Sequence, residues 1–260
     1  MNLLPPTFVA ITALTASLSS ITNAACETNS GPNTAALIEL YTSEGCSSCP
    51  PADRQLTRLP QVLDPTAQVV PLALHVGYWD SLGWVDPYAQ DRFAQRQTWL
   101  VQLNGHRTVY TPQFFVGGNE IQASHGSLRE AVRQLNTMPA AATIRLQSAL
   151  SVDGILTLDV KATTQKTHDH PTAVHLAIAE NGVLSKVTAG ENRNATLRHD
   201  HLVREWIGPI RLHSNTARAR REIMLPATWR QDSLEIIAFV QDEHTGAVLQ
   251  ALHAGLCTRA

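Results

Sequence analysis

The sequence predicts an α/β domain followed by an all-β sandwich domain, and three observations carry that reading. Up to about residue 138, near-continuous apolar runs alternate with amphipathic helical patterns in the order β-α-β-α-β-β-α. Beyond residue 142, helix signals become scarce and short alternating segments separated by turn residues take over. Between the two, "NTMPAAA" at 136–142 joins a proline to small residues and marks the boundary. The expected organisation is a signal peptide over 1–25, an α/β domain over 33–138 and a β-sandwich over 142–257.

The first 25 residues carry no charged side chain. Their apolar run "TFVAITALTASL" ends in "ITNAAC", where Ala24 and Ala25 suit a signal-peptidase cut. The run is too short and too polar to span a bilayer, and the basic start of a typical leader is missing. Export to the periplasm or the medium follows as an expectation. A chain acylated at Cys26 is the weaker variant, since Asn23 stands where a leucine is usual. No later segment reaches the roughly 20 apolar residues of a membrane helix. The formal net charge of −2 leaves no electrostatic footprint for nucleic acid or anionic lipid.

Each element has its own signal. "AALIELYT" (35–42) is a near-continuous apolar run, as in a strand covered on both faces. "ADRQLTRL", with Leu56 and Leu59, is a short helix, and "QVVPLALHV" (68–76) is a second buried strand. From Pro87 the pattern reads as helix, and "YTPQFFVGG" (110–118) is an aromatic strand with "NEIQA" returning beside it. "SLREAVRQL" (127–135) has Ser127 as a cap, Glu130 three residues on, and Leu128, Val132 and Leu135 on one face. Further on, "GILTLDVKA" alternates, Asn181-Gly182 signals a hairpin, and Thr245-Gly246 marks another.

The chemistry centres on "YTSEGCSSCPPAD" (41–53). A thiol between a buried strand and a helix N-terminus meets unpaired N–H groups and about half a positive charge, which favours thiolate. Two intervening residues let Cys46 and Cys49 close a disulfide ring, and let the second thiol resolve a mixed disulfide made by the first. Pro50 and Pro51 suit the opening of a helix but resist one starting much before Cys49. Cys46 is therefore expected on the turn and more exposed, with Cys49 tucked behind it. Later, Thr111-Pro112 opens a strand, and a cis bond is expected there.

Strand, CxxC, helix, strand, then Thr-Pro, hairpin and helix resembles the thioredoxin fold, in which a cis-proline lies beside the two cysteines. "LYTSEGCSSCPPAD", "ALHVGYWDSLGW.DP", "YTPQ", "AGEN" and "AFVQDEHTGAVL" also resemble an exported bacterial thioredoxin-like family of unknown function, across nearly the whole mature chain. Gly77 departs from that pattern, where an aspartate is expected. The resemblance implies a redox role for Cys46, Cys49 and Pro112, and points to Tyr78, Trp79, Asp80 and Trp84 as a characteristic segment.

The expected activity is thiol–disulfide exchange on protein thiols and disulfides, recycled by an unknown redox partner and needing no cofactor. Cys46 attacks, Cys49 resolves, and Pro112 presents backbone to the substrate. The rival is a non-catalytic binding module for a metal or a protein, in which the pair is a static disulfide. Cys26 and Cys257 are expected to tie the start of the mature chain to its end. Tyr78, Trp79 and Trp84 are either core or an apolar lip for a substrate polypeptide. "HDH" at 168–170 and 199–201 reads as solvated loop, with a copper or zinc site as the sharper alternative. Glu44 lies either near the Cys46 thiol, raising its pKa, or in water. No phosphate loop, G-x-S-x-G or H-E-x-x-H is present.

Overall fold

The computed structural model describes Met1 and residues 26–121, 125–165 and 170–257. The expected signal peptide, its cleavage point and His168 lie outside these residues. In chain order the elements are β1 (Cys26–Asn29), β2 (Ala36–Thr42), α1 (Cys49–Thr57), α2 (Leu59–Val62), β3 (Val69–His75), α3 (Asp91–Leu103), β4 (Gln113–Val116), β5 (Asn119–Ile121) and α4 (His125–Thr137). There follow β6 (Ala142–Leu150), β7 (Ile155–Thr164), β8 (Thr172–Glu180), β9 (Val183–Lys186), β10 (Thr196–His199), β11 (Leu202–Arg211), β12 (Thr216–Met224), β13 (Leu234–Asp242) and β14 (Val248–Gly255). The result is a mixed α/β protein: one mixed sheet with helices, plus a separate antiparallel sheet.

The mixed sheet has eight strands in the order β14-β13-β8-β11-β3-β2-β4-β5. Within it β2 runs parallel to β3 and antiparallel to β4. The sheet does not stop at residue 138, because β11 meets β3 in parallel at Leu202 and Ala73. The second sheet, β1-β6-β7-β12, takes its edge strand from residues ahead of the α/β segment. On one face of the large sheet, Ile38, Leu40 and Phe114 pack on Ala52 and Leu56 of α1 and Val132 of α4. Leu176, Ile178 and Ile236 pack on Ile144, Leu156 and Leu158 of the smaller sheet. The opposite face carries Tyr41, Leu72, Phe115 and Phe239 under Phe93 and Leu100 of α3, so one core spans both halves of the chain.

Several local expectations shift. Helix α3 begins at Asp91 rather than Pro87, after a 3₁₀ turn over Gly77–Leu82. Helix α4 begins at His125, which puts Ser127 inside it rather than at its cap. Asn181-Gly182 is a turn between strands but not a hairpin: β8 is already paired on both edges by β11 and β13, so β9 pairs with β10 instead. Thr245-Gly246 does close the β13–β14 hairpin. A Cβ on Gly118 (φ +91°) would collide with the Gly246 carbonyl, so the β4–β5 turn can press on that hairpin only as glycine. Glu39, the acid inside the apolar β2 run, is fully buried and gripped by Arg96 at 2.6 and 2.9 Å. Arg96 also donates to Gln241 of β13, a polar cross-link between the halves.

Candidate active site

Strand β2 delivers the chain to a tight turn at Ser43–Ser48. The Cys46 N–H returns to the Ser43 carbonyl at 3.2 Å, and the Cys49 N–H to the Cys46 carbonyl at 3.2 Å. A serine at the N-cap ordinarily accepts from the second or third helical N–H. In α1 those residues are Pro50 and Pro51, which have no N–H to give. The Ser48 hydroxyl makes no cap bond and lies instead 3.3 Å from Cys46 Sγ. That sulfur sits 3.8 Å from the Thr111 carbonyl oxygen, and Thr111-Pro112 is cis. Cys46, Cys49 and Pro112 are thus brought together from two separate strand ends. Cys46 is paired with Cys49 and Cys26 with Cys257, leaving no free cysteine among the described residues.

The expected exposure of Cys46 is not found. Both Cys46 and Cys49 are 0% exposed, although Ser47 and Ser48 between them face solvent. The β9–β10 loop, which contains "AGEN", is tied onto the backbone of this turn. Asn192 Nδ2 donates to the carbonyls of Glu44 (2.8 Å) and Cys46 (2.9 Å). Glu191 accepts the Ser47 N–H at 2.9 Å, and the Ser47 hydroxyl together with that N–H holds its carboxyl below the ordinary carboxylate range. From the other side Trp79 lies on Gly45, where an added Cβ would come within 2.9 Å of the tryptophan Cβ.

The aromatic segment divides. Trp79 Nε1 donates to Thr111 Oγ1 at 2.7 Å and Trp84 Nε1 to Glu44 Oε2 at 2.8 Å, so both indoles are tied into the site wall. Tyr78 stays 41% exposed. At Gly77 a Cβ would lie 3.3 Å from Asp80 Oδ2, so an aspartate in its place would set two carboxylates side by side.

A buried polar floor adjoins the cysteine turn through Glu44. Glu44 is 1% exposed, neither in water nor free, with His199 Nε2 2.8 Å from its Oε1. His199 is 2% exposed, correcting the reading of its HDH triplet as solvated loop. His201 has a positive φ of 56°, leaves the strand, and bonds Glu235 at 2.9 Å. His170 stacks on His244. The His199 ring stands edge-on to His75 at 4.8 Å, and His75 Nδ1 lies 2.7 Å from Asp86. Asp86 also accepts the Glu44 N–H at 2.8 Å. Burial opposes charge on His75, but Asp86 outweighs it and holds the imidazole above its ordinary pKa. Burial likewise opposes charge on Asp86, and His75 keeps that carboxyl below its ordinary value. Asp53, four residues after Cys49 and so on the same helical face, is pushed up by burial. Asp53 Oδ1, Thr42 Oγ1 and His75 Nε2 are buried without a hydrogen-bond partner.

The quoted motifs contain Glu191 and Asn192 ("AGEN"), His75 and Asp86 ("ALHVGYWDSLGW.DP"), Asp53 ("YTSEGCSSCPPAD") and His199 (HDH), but sequence reasoning gave none of them its place in this site. Position adds a signal for two: His75 ends the strand beside β2, and Asp53 follows Cys49 by one helical turn. Among the described residues, no three His, Cys, Asp or Glu side chains are grouped to hold a metal ion. Among the same residues, no helix is long and apolar enough to cross a membrane.

A family model described as "Protein of unknown function (DUF1223)" matches residues 37–241. The chain belongs to that family. The match runs from the second residue of β2 to the last but one of β13, so the DUF1223 unit includes the cysteine turn, the β9–β10 loop and all of the eight-stranded sheet except β14. No curated protein matches the sequence. Two solved structures are similar over most of the chain. Protein AGR_C_4864 from Agrobacterium tumefaciens has 22% identity and a TM-score of 0.60, over 86% of this chain and 96% of that one. HBP35 of Porphyromonas gingivalis has 15% identity and a TM-score of 0.65, over 87% and 76%. At these identities the likeness bears on fold alone.

Proposed function

We propose that this DUF1223 protein is an extracytoplasmic thiol–disulfide oxidoreductase acting on protein thiols and disulfides through Cys46 and Cys49. One observation carries the reading: Cys46 Sγ lies 3.8 Å from the carbonyl of Thr111, at the head of the strand that Pro112 opens. A substrate strand laid beside Pro112 would therefore lie next to the sulfur once it is uncovered. The strand order β3-β2-β4-β5, with the CxxC turn leading from β2 into α1, supports a thioredoxin-like domain over 33–138. The remainder, 142–257, forms the β domain that supplies the cover. Two pairs of cysteines at disulfide distance support an oxidising compartment.

In the reductive direction the Cys46 thiolate attacks a substrate disulfide. One substrate S–S bond breaks, a Cys46–substrate disulfide forms, and the first substrate sulfur leaves and takes a proton. The Cys49 thiolate then attacks Cys46, whose bond to the substrate breaks, and the second substrate sulfur leaves as a thiol. Two electrons pass from the protein to the substrate; oxidation of a dithiol is the reverse. Because both sulfurs are covered, the β9–β10 loop must lift first. Its three hydrogen bonds to the cysteine turn are worth on the order of 3 kcal/mol together.

The same burial favours a second reading, in which the fold is a binding scaffold and the pair is a static disulfide. Equilibration with glutathione redox buffers separates them. An oxidoreductase gives reversible titration of Cys46–Cys49, at a potential within the about −270 to −120 mV span of known CxxC proteins. A Cys49→Ala variant should also trap mixed disulfides, and Cys46→Ala should not. A pair that stays oxidised in excess reduced glutathione, with neither variant trapping anything, gives the second reading.

A further inference from the structure

Alongside Cys46–Cys49, helix α1 borders a cleft of about 380 Å³ whose lining includes Ser48, Pro112, Arg54, Gln55 and Arg58. It begins at Ser48, whose hydroxyl lies 3.3 Å from Cys46 Sγ, and runs down one face of the helix, since 51, 54, 55 and 58 fall on a single stripe. The seven steps from Pro51 to Arg58 cover roughly 10 Å, the reach of about three residues of extended chain.

The chemistry of the lining is one-sided. Among the described residues, no acidic side chain borders the cleft. Among the described residues, neither the Arg54 nor the Arg58 guanidinium has a hydrogen-bond or ion-pair partner, while most arginines of the protein do. Gln55 Nε2 is buried with no acceptor in reach. A buried donor left unbonded carries a desolvation penalty, which an acceptor reaching it removes. Glu191, which takes the N–H of Ser47 just ahead of the helix, is not among the residues that line the cleft.

We infer that this cleft receives the acidic flank of a peptide substrate, placing carboxylates on Arg54, Arg58 and Gln55 while the substrate's sulfur meets Cys46. A guanidinium pairs with a carboxylate through two parallel hydrogen bonds, which a neutral amide cannot match. The inference rests on the exchange reading above and adds the class of substrate.

The test uses the reduced full-length mature protein and disulfide-linked dimers of three short capped peptides. The peptides differ only in carrying two glutamates, two glutamines or two lysines beside the cysteine. At low salt, reduction should be fastest for the acidic peptide and slowest for the basic one, with acidic and neutral differing about tenfold. Salt should compress that ratio. In Arg54→Gln/Arg58→Gln the ratio should fall to about one, and in Arg218→Gln, exposed on β12, it should persist. Equal rates for all three peptides, or a preference that survives the double variant, overturns the inference and leaves exchange standing. A small dicarboxylate aromatic disulfide is run in parallel. If it alone depends on the two arginines, the cleft takes small anionic disulfides and the peptide assignment is wrong. If no disulfide in the set is reduced, the exchange reading falls and this one with it.

Discussion

The two cysteine pairs of this protein are chemically identical and sit in opposite surroundings. Cys26–Cys257 joins residues 231 apart, at the edge of the four-stranded sheet and just past the last strand of the eight-stranded one. Cys26 is exposed. Cys46–Cys49 joins residues 3 apart, fully buried, over a floor of two histidines and three carboxyl groups and under a loop from the far half of the chain. The difference teaches that neighbours, not the bond, assign the role. The first pair is placed to restrain the unfolded chain. The second is placed among groups able to hold or move protons.

The largest expected effect breaks this comparison on the stability axis. Loop-closure entropy for a bridge across the whole chain is on the order of 5 kcal/mol, against about 2 kcal/mol for a three-residue ring. Cys26→Ser/Cys257→Ser should therefore lower unfolding stability by roughly 2–5 kcal/mol, and Cys46→Ser/Cys49→Ser by distinctly less, in urea titrations. Equal losses, or the reverse order, would remove the division of labour.

The next effect concerns the floor. His75 and Asp86 form a buried pair, and removing one partner of such a pair costs on the order of 3–5 kcal/mol. The sign with pH follows from the shifts. His75 is raised above its ordinary 6.5, so its contribution is complete below that value and is lost as pH climbs through its folded pKa. Asp86 is lowered below its ordinary 3.8, so its contribution is present above that value and is lost as pH falls through its folded pKa. Asp53 and Glu44 face the same imidazole and add to the field that keeps it charged. The stability gap between wild type and His75→Gln should be widest between about pH 4 and 6.5 and should narrow as pH rises further. A gap constant from pH 5 to 9 would show that the ring acts by packing alone.

Much of this was legible beforehand, and what was not shares one cause. The CxxC turn with its prolines, the Thr111-Pro112 strand head and the pattern of each β and α element are local, each written within a few residues. So is the pairing of β4 with β5 across Gly117-Gly118. The cover is not. Glu191 and Asn192 stand about 145 residues from the turn they bond, in a loop whose composition reads as ordinary surface. His199 looked solvated because HDH is polar, yet Glu44 gives it a buried partner across 155 residues. The continuous sheet escaped notice for the same reason: one short parallel contact at Leu202 joins two segments whose own patterns are each complete. Glu39 escaped because a single acid scarcely disturbs a hydrophobic run, and its arginine lies on a helix 57 residues away.

The smallest effect tests whether the cover is a gate. Asn192 contributes two of the three hydrogen bonds from the β9–β10 loop to the cysteine turn, and both end on backbone carbonyls that the cysteine chemistry leaves alone. Removing its amide should therefore leave the sulfurs, the floor and the Arg54–Arg58 cleft intact while making the lifted state easier to reach. Two net hydrogen bonds of about 1 kcal/mol each correspond to roughly a thirtyfold shift. Relaxation of the loop and replacement by water should reduce that to about tenfold. Asn192→Ala should then speed reduction of Cys46–Cys49 by a small phosphine about tenfold, with its midpoint potential against glutathione nearly unchanged. Glu191→Gln, which weakens the remaining bond without deleting it, should give a smaller acceleration in the same direction. If the rates stay at wild type while the loop's amides exchange faster with deuterium, access is controlled elsewhere, and Trp79 lying on Gly45 is the contact to test next.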